Sequence, residues 1–593
     1  MRRNSGSHRA SRALLAAVTA TLVAVALVGV QSPGASAKAA PQVLYVGAIA
    51  GITTPPASTF STIQAAVDAA KKGDWILVAP GDYHETGDMG ANAPTPQEAQ
   101  EGWYGGVDIT TADLHLRGMG VNRTDVMVDG TLASAPTPCD PNPIYQNNLG
   151  GLGRNGIVVW ETKGVSIDNL TVCNFINGNP GAKSDAGNEI WWNGGAGSGK
   201  IGLKGYSGSY LAATSTYFAS SDPSHINACA TCALYGIFAS NAKNGALSQL
   251  YANNFSDSGM YVGACLRACN VTVDHAWMEN NALGYSGTNS GGAITITHSS
   301  FDNNKEGLDT NTALTGDPPP PQDGRCPGGA TNPVTGTNSC WLFEFNKVFS
   351  NNNPNVPIAG TAGLGPTGTG MTVSGGRNDT ILNNEFYDNG AWGVLFAPYP
   401  DQYTTNSNGK TCKKTGGILA STLPLAIANV GCLYDPEGNS LVNNQFTGNG
   451  TLLNAGNADY GNLLIGGNEL QNCFSGNTEF SDSTFATPTG PATIANTNTA
   501  QTPATCKGAK TPKTGSLGTN TDLSLLVQAE CDAGVLGLAS CTAGGAVYPQ
   551  PTGVVMQPLP PTSQLPTMNP CAGTTAPPTN LWCPGGVLAA KAR

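Results

Sequence analysis

Charged side chains make up only 11% of this 593-residue chain, against about 25% in an ordinary soluble domain. Bases are the scarcer sign, 28 Lys and Arg against 39 Asp and Glu, for a net charge of −11. Nucleic acid is therefore not an expected partner, because covering a phosphate backbone needs clustered Lys and Arg. A polyuronate would be repelled too, unless a cation bridged the two acidic surfaces. Cys229-x2-Cys232 and Cys265-x3-Cys269 resemble zinc knuckles, but an oxidising compartment would convert such pairs to disulfides. Low charge does not mean disorder here, because the apolar residues recur in register and can stack into one core.

Glycine and asparagine fill the space that charge leaves. Gly236, Gly259, Gly284 and Gly307 stand 23, 25 and 23 residues apart, a period that marks a stacked solenoid. The segment from Val271 to Gly284 reads VTVDHAWMENNALG, and that from Ile294 to Gly307 reads ITITHSSFDNNKEG. Later copies run from Thr380 to Gly393 and from Leu441 to Gly450. Val271/Val273 and Ile294/Ile296 alternate with polar residues, the period of a strand with one face inward. Asn280, Asn303 and Asn389 each precede a repeat glycine by four residues, and asparagine suits left-handed turns and ladders of amide hydrogen bonds. The expected fold is a parallel β-helix whose equivalent residues stack one coil apart, about 4.8 Å.

The first residues read as an export signal. Arg2, Arg3, Arg9 and Arg12 precede an apolar run from Ala13 to Val30, and Ala35-Ser36-Ala37 gives a cleavage site before Lys38. A membrane anchor is the alternative; cleavage is favoured because Pro33 and Gly34 follow at once, leaving a secreted chain with no membrane span. Loss of residues 1–37 takes the net charge from −11 to −15. All 16 cysteines lie beyond that point, and an even number in an exported chain reads as disulfides. Cys326 with Cys340 and Cys412 with Cys432 bracket long insertions, although connectivity is not fixed by sequence.

Ser61-Thr62-Ile63-Gln64 reads as a capping box with Phe60 as its staple, opening a short helix through Ala70 that Gly73 stops. A strand from Trp75 to Ala79 and a Pro80-Gly81 turn follow. This text, FSTIQAAVDAAKKGDWILVAPGDYHE from Phe60 to Glu85, resembles the opening of right-handed parallel β-helix proteins of the pectate-lyase-like superfamily. The resemblance implies an all-β, single-stranded right-handed parallel β-helix with an N-terminal capping helix. It does not select a reaction, since lyases, hydrolases, esterases and epimerases share that opening. The paired aspartates, Gly-His-Gly and Arg-x-Lys of polygalacturonase-type hydrolases are absent, as is the Asp-Pro-His-Glu of alginate epimerases.

Coils are expected over residues 38–484, followed by a Thr/Pro/Ala-rich tail over 485–593 that disulfides pin as a cap on the last coil, its Pro-rich part from Pro549 partly disordered. Glu279 and Asp302 both lie five residues before a repeat glycine and Asp388 shares that offset; with Asp309 they could hold Ca²⁺, or they are solvated turn residues. His275 and His298 share an offset of nine, which suits either a general base or a structural turn ladder. Arg267 and Lys305 are bases near these acids, and the family's lyases use Arg or Lys against a uronate whose charge Ca²⁺ neutralises; a salt-bridging role is the alternative. Trp191, Trp192 and Tyr206 fall in a Gly/Ser-rich stretch, where they would stack on sugar rings or pack in the core. The reading is a secreted, monomeric protein that acts on or binds extracellular polysaccharide, a Ca²⁺-assisted lyase in its enzymatic form. A binding protein or a structural rod is the alternative.

Overall fold

The computed structural model describes residues 41–478 except for internal stretches, the longest being 88–102, 311–325 and 420–431, together with a short hairpin at 486–491 and residues 549–568. The expected signal at 1–37 and most of the tail lie outside the described residues.

Among the described residues, successive strands pair in parallel, each with the equivalent strand of the next coil, into one sheet of nineteen strands and another of ten. The chain is a right-handed parallel β-helix. One coil shows the plan. Ile294–Thr297 forms a first face, His298 turns the chain, Ser300–Asp302 forms a second face, Asn303 turns it again, and Glu306–Asp309 forms the third. His298 and Asn303 adopt the left-handed conformation, φ 49° and 53°. Val273, Ile296 and Phe343 stack inward on the first face, Met278, Phe301 and Val348 on the second, and Tyr285, Leu308 and Met371 on the third, all buried.

Amides buried at the bends tie the coils together. Asn304 Oδ1 accepts from the Asn281 backbone N–H at 2.9 Å, Asn351 does the same for Asn304, and Asn389 for Asn351. A second ladder runs Asn346, Asn384, Asn444, Asn477. Such amides meet the backbone groups that each bend would otherwise bury unpaired. Asn280 and Asn303 also stack, amide to amide, at 3.3 Å. Asn389 belongs instead to the ladder of Asn281 and Asn304. One extra residue in the Asn389-Gly390-Ala391-Trp392-Gly393 turn shifts the count from the glycine, so offset alone misplaces Asn389 and, with it, Asp388. Repeat glycines stack too: a Cβ on Gly307 would lie within 2.9 Å of the Asn351 amide and closer still to the Gly370 carbonyl.

Thr62 caps helix Ile63–Ala69 through the Ala65 N–H, and the distant Glu85 carboxylate takes the Ile63 and Gln64 N–H groups at 2.6 and 3.2 Å. Among the described residues, disulfides pair Cys139–Cys173, Cys229–Cys232, Cys265–Cys269, Cys326–Cys340 and Cys412–Cys432. No free thiol occurs among the described residues.

Part of the Pro-rich stretch near the C-terminus is described, and residues 549–568 run along the outer side of the coils; the remainder of the expected cap lies outside the described residues. The Gln557 carbonyl accepts from Asn254 Nδ2 at 2.8 Å, the Gln557 N–H donates to Asn254 Oδ1 at 2.9 Å, and the Val555 carbonyl accepts from Asn280. Leu565 is buried against Ala212 and Tyr251, and Arg123 binds the Pro566 carbonyl. Extended proline-rich backbone has its carbonyls free, and the coil-bend amides supply the donors. Leu565→Ala should release this strap, since a buried Leu-to-Ala change costs about 2–5 kcal/mol. Amide exchange at Gln557 should accelerate while exchange in strand Val271–Glu279 stays slow; unchanged protection at Gln557 would show that Leu565 does not hold the strap.

Candidate functional site

On the outer side of the second face two ladders run side by side. One is Tyr251, Trp277, Ser300, Lys347, Glu385; the other is Asn253, Glu279, Asp302, Phe349, Tyr387. Alternation along each strand sends these residues outward while Met278 and Phe301 point into the core. Glu279 and Asp302 are thus direct neighbours on adjacent coils. Tyr251 Oη donates to Glu279 Oε1 at 2.6 Å. Asp302 Oδ1 accepts from Trp277 Nε1 at 3.0 Å and from Ser300 Oγ at 3.1 Å. Phe349 and Tyr387 stack with centroids 4.6 Å apart and planes within 7°. The strap borders this patch: Leu565 clusters with Tyr251 and Ala212, against which Trp277 also packs.

Partial burial raises the carboxyls. Desolvation, then the charge of Glu279, pushes Asp302 up to about 7. Glu279 is also raised by desolvation, against the lowering effect of the Tyr251 hydroxyl. Two acids one coil apart titrate as a pair. The arrangement therefore holds a proton on Asp302 up to near neutrality, beside a second carboxyl that burial also raises.

The expected calcium set is divided. Asp309 lies on the third face between Ser286 and Thr372, in the ten-stranded sheet, whereas Glu279 and Asp302 belong to the nineteen-stranded one. The two that remain meet phenol, indole and hydroxyl donors, while Ca²⁺ takes about six to eight oxygen ligands. This donor set does not fit that ion. The expected bases are dispersed as well. Lys305 is buried at the second bend, its Nζ on the Gly365 carbonyl. His275 and His298 occupy the first bend, the opposite end of the second face from the carboxylates. Arg267 lies on the two-residue strand Leu266–Arg267, and its side chain is outside the described residues.

Trp191, Trp192 and Tyr206 are buried rather than exposed. The Gly/Ser-rich text around them forms regular strands, Asn188–Asn193 and Leu203–Thr214. Trp192 and Tyr206 point into the core as a tilted pair, centroids 5.4 Å apart. Trp191 faces outward but stacks on Phe238 and donates to Ser240 Oγ at 2.9 Å. The aromatics that do flank the carboxylates, Tyr251, Trp277, Phe349 and Tyr387, escaped the sequence reading. Trp277 and Tyr387 stand two residues before Glu279 and one after Phe386 in the aligned repeats, which was the available signal.

Buried acids elsewhere bear on pH. Asp257 is raised to about 7 by desolvation, and burial also raises Glu189, Glu306 and Asp379. His84 is raised to about 8, chiefly by its hydrogen bond to Asp82. A group that holds its proton more tightly folded than unfolded loses stability as pH rises through the folded value. Unfolded carboxyls titrate near about 4, so the melting temperature should fall between pH 5 and pH 8, and Asp302→Asn should flatten part of that slope. A melting temperature that rises over this interval would contradict these assignments.

Comparison with known proteins adds little. No family model matches, and no curated protein does. Among solved structures, the A-module of the mannuronan C-5 epimerase AlgE4 from Azotobacter vinelandii is similar over 74% of this chain and 95% of its own, at 14% identity and TM-score 0.40. The endo-xylogalacturonan hydrolase of Aspergillus tubingensis is similar over 76% and 94%, at 12% identity and TM-score 0.33. The tailspike of E. coli bacteriophage HK620, solved with a pentasaccharide, is similar over 71% and 65%, at 10% identity and TM-score 0.36. Likeness at this level carries no functional argument, and the fold rests on the chain's own strand register.

Proposed function

We propose that this chain is a secreted protein that binds extracellular polysaccharide on the outer second face and cleaves it with Glu279 and Asp302. The observation that carries the reading is the pair itself: two partly buried carboxyls on adjacent coils, one raised to about 7. Strand neighbours are about 4.8 Å apart, close to the separation of about 5–5.5 Å at which one carboxyl donates a proton and its partner acts as nucleophile on a sugar ring. Asp302 is the proton donor to the glycosidic oxygen. Glu279, which accepts the Tyr251 hydroxyl, remains the anion. Phe349 and Tyr387 continue the ladder as apolar ring faces for neighbouring sugar units.

A binding protein without catalysis is the second reading. It is favoured by the donors that already occupy one oxygen of each carboxylate. A lyase has less support, since neither Lys305 nor Asp309 meets the pair. Incubation with a panel of polyuronates and neutral glycans, with and without calcium, separates the three. Cleavage by the pair yields new reducing ends without ultraviolet-absorbing unsaturated products and without calcium dependence. Unsaturated products would indicate a lyase, and retention without cleavage a binding protein.

A further inference from the structure

The first bend carries a second cluster, independent of the carboxylate pair. His275 and His298 hold equivalent left-handed positions on adjacent coils, φ 57° and 49°, so their rings stack with centroids 5.2 Å apart and planes within 19°. Their Nδ1 atoms converge on one oxygen: Asp274 Oδ1 lies 2.9 Å from His275 Nδ1 and 3.1 Å from His298 Nδ1. Phe345, at the same bend of the next coil, stacks on the far face of His298 at 5.7 Å. Thr297 Oγ1 lies 3.1 Å from His298 Nδ1. The three ligating side chains are 38–53% exposed, open to an ion from solvent.

From this geometry we propose that Asp274, His275 and His298 form a surface site for a divalent transition-metal ion, Cu²⁺ in preference to Ni²⁺ or Zn²⁺. Metal–imidazole bonds of about 2.0–2.1 Å place neighbouring ligands of an octahedral or tetragonal ion about 3 Å apart, as the two Nδ1–Oδ1 separations are. Two imidazoles and one carboxylate suit borderline ions rather than Ca²⁺ or Mg²⁺, and among these the order of affinity favours Cu²⁺. A neutral ring donates its Nδ1 proton to Asp274; on binding, that proton leaves to solvent, Nε2 takes one up, and the freed Nδ1 lone pair turns to the metal. The ring stack holds both donors in place before the ion arrives, and water completes the coordination.

The same bend carries Asn383 and Asn443 in later coils, both left-handed. His298→Asn therefore keeps the turn while removing a ligand. Titrating the full secreted chain with Cu²⁺, read by calorimetry and electron paramagnetic resonance, should give one site with two-nitrogen coupling. His298→Asn should weaken it at least about tenfold and leave one nitrogen. His84→Ala, which removes the histidine of the separate Asp82–His84–Asp129 group, should leave it unchanged. Absence of copper binding, or equal binding and coupling in His298→Asn, would overturn the site, as would its loss in His84→Ala.

Discussion

Replacing Glu279 by Gln is expected to lower turnover of a cleavable polysaccharide by about 10²–10⁴-fold, with little change in melting temperature. The amide keeps the size of the carboxyl and can still accept the Tyr251 hydroxyl, so packing under the strap survives. What it loses is the anion that attacks, or activates water, beside the reacting carbon. Asp302→Asn should cost a similar factor by removing the proton donor, and should abolish the alkaline fall in rate that a group titrating near about 7 imposes. Rates from reducing-end release across pH test both variants. A loss of less than about tenfold in either, or a rate profile of Asp302→Asn identical to that of the parent, would remove the pair from the chemistry.

The second large effect is on stability. Asn351 is fully buried, and its side chain makes four hydrogen bonds: Oδ1 accepts from Asn304 N and Nδ2 at 3.2 and 3.0 Å, and Nδ2 donates to the Phe301 carbonyl and Asn389 Oδ1 at 3.0 and 3.1 Å. Asn351→Leu removes all four bonds: Asn304 Nδ2 keeps the Met278 carbonyl and Asn389 Oδ1 keeps the backbone N–H of residue 351, but the Asn304 N–H and the Phe301 carbonyl lose the amide they meet between coils. Each buried polar group left unpaired costs about 1–3 kcal/mol, so a loss of about 2–6 kcal/mol is expected. Asn303→Ala, at a half-exposed rung with one long amide contact, should cost far less. Denaturant unfolding of the two variants measures the contrast. Equal midpoints would mean that the buried amide ladder does not hold the coils together.

Much of the β-helix is legible in the sequence because its repeat is short and its ladders are near-identical. Val271 and Ile294, or Asn281 and Asn304, stack because the chain returns to the same place after one coil. The disulfides Cys229–Cys232 and Cys265–Cys269 are legible for a related reason, their partners being three and four residues apart. Insertions defeat counting: one extra residue before Gly393 moved Asn389 and Asp388 into the wrong ladders. Composition misled at Trp192 and Tyr206, where Gly208 and Gly245 sit within regular strands and leave room for the Trp192 and Tyr206 rings respectively.

The site was half legible. Equal offsets from Gly284 and Gly307 brought Glu279 and Asp302 together correctly, because both belong to the same face. Asp309 looked near in sequence, but the Asn303 bend turns the chain onto another sheet before it is reached. The strap could not be read at all. Gln557 meets Asn254 across 303 residues, and a run of Pro, Thr and Gln carries no periodicity to announce a docking partner. Its register is set by amides at the coil bends, whose free donors are apparent only once the coils are stacked.

The position of a bound glycan decides whether the Glu279–Asp302 face is the site. A crystal structure of Asp302→Asn soaked with an oligosaccharide identified by the panel should show a sugar ring over Glu279 and position 302, with its neighbour against Phe349 or Tyr387. A chain bound along the ten-stranded sheet, with the Glu279 face empty, would contradict it.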